Sequence, residues 1–106
     1  MFATRSLFHA CRVTLFSRDN CGLCTQAKSV LSDVWDKRPF AYKEVNLAKP
    51  ESEAWRNLYD FDIPVIHIAK ADAVEEQVDT ADKVAKLMHR FTVEQVEQKM
   101  DQVEGK

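Results

Sequence analysis

The chain has 106 residues, enough for one domain, and its 45% hydrophobic and 30% charged residues are ordinary for a globular protein. A formal net charge of −2, with no dense block of Lys and Arg, argues against a nucleic-acid binder. No apolar run approaches the roughly 20 residues of a membrane-spanning helix. Three cysteines, an odd count, do not make a secreted disulfide framework, and an intracellular thiol chemistry fits them better.

The segment 1–12 differs from the rest. It carries Arg5 and Arg12 with Thr4 and Ser6, and the first acid of the chain is Asp19. Wound as a helix, it would place Arg5, His9 and Arg12 on one face and Ala3, Leu7, Ala10 and Cys11 on the other. That is the profile of a mitochondrial presequence, although a frayed tail of chance composition would read the same way. A secretory signal is not expected, because a long apolar stretch and a small-residue cleavage site are missing. We therefore divide the chain into a tail or presequence, 1–11, and a domain, 12–104, with a mitochondrial or cytoplasmic location expected.

Arg12–Ser17 reads as a strand, β-branched and aromatic, closed by the polar run Arg18-Asp19-Asn20. A helix follows, with Leu23, Ala27, Val30, Leu31 and Val34 at spacings of three and four, Asn20 as its N-cap and Pro39 beyond its end. Phe40–Leu47 is a second strand, with Ala41, Val45 and Leu47 alternating against Tyr42, Glu44 and Asn46. Pro50 suits the first position of a second helix, with Glu51 and Glu53 near its positive end and Trp55, Leu58 and Tyr59 as its apolar side. Ile63–Ile68 is a third strand, proline near its start.

Residues 69–83 are acidic and poor in apolar side chains, and read as an exposed, partly helical insertion with solvated carboxylates or a partner-docking face. Ala85–Arg90 is a fourth strand. Thr92 opens the last helix, Gln95 completes a capping box, and Val93, Val96, Met100 and Val103 form its buried stripe. The order β-α-β-α-β-β-α calls for a parallel front pair with a right-handed crossover and a late antiparallel hairpin. The fold class is α/β: a four-stranded mixed sheet with helices on both faces.

Chemistry concentrates at Cys21-Gly22-Leu23-Cys24, directly after a strand and at the start of a helix. The first turn of a helix offers free N–H groups and the positive end of the dipole, which favour thiolate over thiol. Cys21 is thus placed as a nucleophile. Cys24, three residues on, can attack a mixed disulfide at Cys21, while Gly22 permits close approach beside the sulfur. A structural zinc site would want four ligands; there is no second C-x-x-C, and His67 and His89 fall on separate strands. An inert pair spaced by chance is the third reading. Cys11 reads as a small residue at a strand entrance, His67 as a satisfied strand histidine, and Trp35 and Trp55 as packing residues.

With Ile63-Pro64 opening a strand about forty residues after the dithiol, the pattern resembles the glutaredoxin branch of the thioredoxin superfamily. Asn20-Cys21-Gly22-Leu23-Cys24, Asp60-Phe61-Asp62-Ile63-Pro64-Val65 and His89-Arg90-Phe91-Thr92 are most similar to its small glutaredoxin-like proteins. The resemblance covers about residues 12–104. It implies the thioredoxin/glutaredoxin-like fold, a cis peptide before Pro64 packed beside the dithiol, Cys21 as nucleophile and Cys24 as resolving thiol. It further implies substrate contacts at Gly22, Leu23, Ile63 and Pro64, with the Ile63 backbone pairing with an extended substrate.

The implied activity is that of a thiol–disulfide oxidoreductase, a monomer acting on protein or small-molecule disulfides without a metal or organic cofactor. Glutathione is one reductant this chemistry admits. Three features depart from well-characterised glutaredoxins. Gly22-Leu23 stands for Pro-Tyr, Asp62-Ile63 for Thr-Val, and the Gly-Gly turn after the fourth strand is missing, since no glycine occurs between Gly22 and Gly105. Weak glutathione-coupled turnover is the corresponding expectation. The alternatives are a non-catalytic interaction domain of the same fold, or metal or iron–sulfur handling through Cys21.

Overall fold

The computed structural model describes residues 9–105; most of the presequence reading, residues 1–8, lies outside them. Four strands, β1 (Cys11–Ser17), β2 (Ala41–Asn46), β3 (Val65–Lys70) and β4 (Ala85–Met88), form one sheet in the order β2-β1-β3-β4. β1 runs parallel to β2 and antiparallel to β3, and β3 runs antiparallel to β4. Helix α1 (Gly22–Lys37) makes the crossover between β1 and β2. Helix α2 (Glu53–Tyr59) follows a 3-10 turn at Pro50–Ser52, and α3 (Val93–Glu104) closes the chain. This is the expected α/β arrangement.

The pleat of β1 sorts its side chains into two unlike layers. Val13 and Leu15 pair with Ile68 and Ile66 and pack under Ala27, Leu31, Val34 and Trp35 of α1 and Val96 and Met100 of α3. The opposite face carries Phe16, Val65, Leu47, Tyr59 and Ala81, with Trp55 and Ile63 at its margin. Phe16 lies 4.5 Å from the Trp55 ring and 5.3 Å from Tyr59 between centroids. Cys11 is buried at the entrance of β1, its Sγ 3.2 Å from a Glu104 carboxylate oxygen.

Local signals in the sequence account for most element ends. Thr92 and Gln95 cap α3 reciprocally, at 3.2 and 2.9 Å, and Arg38 at the end of α1 reaches Asp101 and Glu104 at 2.9 and 2.8 Å. Several expectations need correction. The second strand is Ala41–Asn46 rather than Phe40–Leu47. β3 begins at Val65 rather than Ile63, because Pro64 has no N–H to give the ladder. β4 stops at Met88 rather than Arg90, because His89 turns to φ +64 and donates its N–H to the Pro64 carbonyl at 2.7 Å.

Leu58 was expected on the buried side of its helix and is 41% exposed, since a helix this short buries only Tyr59 fully. Finally, the acidic segment is not merely solvated. It contains a 3-10 helix at Val78–Lys83, and it lays Glu76 over the second face of the sheet. Among the described residues, no helix is long and apolar enough to cross a membrane.

Candidate functional site

Every element that positions the dithiol meets at one end of the sheet. β1 delivers the chain there through Arg18-Asp19-Asn20, and Asn20 reverses it with φ +58, a left-handed conformation that asparagine tolerates. This shifts the helix start. Cys21, not Asn20, is the N-cap of α1, and its Sγ itself accepts the Cys24 N–H at 3.1 Å. The sulfur therefore takes the place that a capping hydroxyl or carboxylate usually holds. No acidic side chain occupies the first turn of α1, so the positive end of the helix dipole is left to the sulfur.

Cys21 and Cys24 are joined as a disulfide, with Cα atoms 5.2 Å apart. Cys21 is half-buried, whereas Cys24 is only 2% exposed. The two sulfurs thus differ in what can reach them. In front of them lies an open hollow of about 420 Å³, lined among others by Arg18, Asn20, Gly22, Thr25 and Lys28. A Cβ added at Gly22 would meet nothing beyond its chain neighbours within 4 Å, so Gly22 faces open space.

The hollow unites Cys21, Gly22 and Cys24; Leu23, Ile63 and Pro64 do not line it. The Ile63–Pro64 peptide is cis, the isomer the resemblance implies. Pro64 is buried one residue before Val65, the partner of Phe16, so it stands at the same end of the sheet as the loop that carries Cys21. Ile63 turns its side chain into the second apolar cluster.

Residues the sequence did not single out complete the surroundings. Arg18 pairs with Asp60 at 2.7 Å and so ties the dithiol loop to the turn before Pro64. Lys28, one helical turn beyond Cys24, pairs with Glu44 at 3.0 Å, and that carboxylate also accepts from Tyr42 at 2.7 Å and Ser17 at 3.1 Å. Burial pushes Glu44 toward the neutral acid, but the hydrogen bonds from Tyr42 and Lys28 outweigh it and hold its pKa below the ordinary carboxylate value. The spacing Cys24–Lys28 is the one signal of this group visible in the sequence, because residues four apart share a helix face.

His67, expected to be a satisfied strand histidine, is fully so. Its Nε2 accepts the Tyr59 hydroxyl at 2.6 Å, and its Nδ1 meets Glu76 at 2.7 Å. Glu76 continues to Arg12, whose guanidinium also donates to the carbonyls of Ala73 and Val74 at 2.8 and 2.9 Å. Burial, reinforced by Asp62 and Glu76, pushes the Tyr59 hydroxyl up to about 12, so it stays protonated and donates. These four side chains lie between the sheet and the acidic segment and hold that segment down. Among the described residues, no group of three or more His, Cys, Asp or Glu side chains could hold a metal ion.

Structural comparison finds the same fold in thioredoxins of known structure. It superposes on a chloroplastic thioredoxin z with a TM-score of 0.65 at 18% identity, covering 92% of this chain and 80% of that one. Thioredoxin-2, a component of the malaria parasite protein secretion machinery, gives 0.63 at 17% identity over 92% and 86%. A protein of Nitrosomonas europaea solved by NMR in solution gives 0.55 at 18% identity over 96% and 95%. Identities this low establish the shared fold, and the sequence supplies the family. Residues 12–101 match the glutaredoxin-like domain (DUF836), and the chain belongs to that family within the thioredoxin superfamily.

Proposed function

We propose that the protein is a thiol–disulfide oxidoreductase in which Cys21 attacks and Cys24 resolves. The observation that carries this reading is the asymmetry of the pair: a partly exposed cysteine at a helix N-cap, backed by a buried one. The Cys21 thiolate attacks one sulfur of a substrate disulfide; that S–S bond breaks, and the leaving thiolate departs with the electron pair and takes a proton from water. Cys24 then loses its proton and attacks the Cys21 sulfur. The mixed disulfide breaks, the second substrate thiolate leaves, and the Cys21–Cys24 bond closes. Two electrons and two protons reach the substrate, and a thiol or dithiol reductant restores the protein.

The surroundings support that direction of attack. Backbone N–H groups and the helix dipole stabilise negative charge on Cys21, whereas Cys24 is buried beside it. Glutathione is a poor reductant in this reading, because Asp62-Ile63 and the glycine-free turn after β4 remove the contacts that usually grip it, and a dithiol serves instead. Alkylation of the reduced protein across pH tests the assignment. Cys21 should react as a thiol with a pKa below the free value of about 8.5, and Cys24 more slowly. A Cys24→Ser variant should accumulate covalent mixed disulfides. Equal titration of both cysteines near the free value, with no trapped adduct, would end the proposal.

A further inference from the structure

The most exposed large apolar side chain among the described residues, Phe61 at 94%, stands in the turn that joins α2 to Pro64. The turn is braced on both sides. The Asp60 and Asp62 N–H groups donate to the carbonyls of Arg56 and Tyr59, each at 2.9 Å. The Asp60 carboxylate holds Arg18 at 2.7 Å, and Arg18 lines the hollow in front of the dithiol. Phe61 is therefore an aromatic ring that contributes nothing to the core, next in sequence to Asp60, whose partner Arg18 lines the hollow in front of the sulfurs.

Charge in this turn is unevenly matched. Asp60 answers Arg18, while Asp62, 43% exposed, meets His89 only at 4.0 Å, the outer limit of an ion pair. An apolar ring beside an underpaired carboxylate suits an apolar side chain beside a Lys or Arg. A small disulfide reacting at Cys21 would make no use of a ring beyond Arg18, but an extended chain running from the hollow over this turn would cover it.

We propose that Phe61 and Asp62 form a docking point for polypeptide substrates, selecting disulfide-bearing segments with an apolar and a basic side chain near the reacting cysteine. This rests on the oxidoreductase reading and narrows its substrate class to proteins. In the reaction, Cys21 attacks the segment's sulfur while Phe61 packs on the apolar side chain. The partner thiolate leaves with the electron pair of the broken S–S bond, and Cys24 then closes on Cys21 and frees the segment as a thiol.

The test uses the reduced full chain and three probes. Two are synthetic peptides whose single cysteine is capped as a mixed disulfide with nitrothiobenzoate, one with Leu and Lys beside the cysteine and one with Ser and Glu there. The third is the small disulfide dithiobis(nitrobenzoic acid). Release of coloured nitrothiobenzoate reports each rate. The Leu/Lys peptide should react about tenfold faster than the Ser/Glu peptide, the size expected for an interface aromatic. Phe61→Ala should bring that ratio to within about twofold, Phe61→Leu should keep part of it, and Asp62→Asn should lower it only in part.

A wild-type ratio near one, or a ratio that survives Phe61→Ala, would overturn the docking point. So would a wild-type dimer that Phe61→Ala converts to a monomer, because a second copy would then be the occupant. Failure of the wild type to react with the small disulfide would instead sink the oxidoreductase reading itself, which separates the two claims.

Discussion

The two faces of the sheet are built on different physics. Against α1 and α3 the contacts are apolar, with Val13, Leu15, Leu31, Val34, Ile66 and Ile68 almost wholly removed from water. Against α2 and the acidic segment, the aromatic cluster around Phe16 adjoins a chain of polar partners, Tyr59, His67, Glu76 and Arg12. Apolar packing is non-directional and tolerates small displacements. A buried hydrogen-bonded chain does not, since each member left without its partner keeps the whole cost of its desolvation. The first face supplies cohesion, and the second fixes where one particular segment lies.

Truncation on the first face should have the largest effect. Leu31→Ala removes a fully buried side chain between the sheet and α3, and should cost about 2–5 kcal/mol in urea unfolding. A loss below about 1 kcal/mol would mean that the helical layer is far looser than the packing indicates.

On the second face, Glu76→Gln should cost about 1.5–3 kcal/mol near neutral pH, the range for a hydrogen bond to a charged group. Burial favours the neutral acid, but the hydrogen bonds from His67 and Arg12 outweigh it and lower the Glu76 pKa in the folded protein. The unfolded chain then holds the proton more tightly than the folded one. The stabilisation is therefore complete above the ordinary glutamate value of about 4.3 and is lost as pH falls through the lower folded value. The gap between wild type and Glu76→Gln should shrink over that acidic window in paired urea titrations. A gap independent of pH would show that the Glu76 charge is not what holds the segment.

The neighbouring glutamate sharpens the contrast. Glu75 pairs with Lys43 at the surface, where both side chains are largely in water, so Glu75→Ala should leave the unfolding midpoint unchanged within error. A midpoint shift like that of Glu76→Gln would erase the distinction between the buried and exposed members of this acidic run.

The same division explains what could be read in advance. The apolar layer announces itself through short-range periodicity: Ala27, Leu31 and Val34 along α1, Val96 and Met100 along α3, and the Thr92–Gln95 box. The dithiol was legible because its chemistry depends on a local fact, a cysteine pair at a strand-to-helix junction. The polar chain joins Arg12 to Glu76, which lie 64 positions apart, and composition alone made that glutamate look like one more solvated acid. Pairing at such separation is decided by topology, which no window of neighbouring residues contains. The shift of the cap from Asn20 to Cys21 hid for another reason, since either residue can start a helix and only the left-handed turn at Asn20 chooses between them.

The strand order also bears on how molecules of this protein meet in a crowded solution. With β1 and β3 inside, the described part of the sheet ends in β2 on one side and β4 on the other, and each exposes a row of backbone groups that another strand could join. Both rims carry a lysine, Lys43 in β2 and Lys86 in β4. β4 spans only four residues. Lys43 on the β2 rim is held by Glu75, so the deterrent sits on β4, where pairing of two sheets through like rims would set Lys86 ammonium groups against each other along a short ladder.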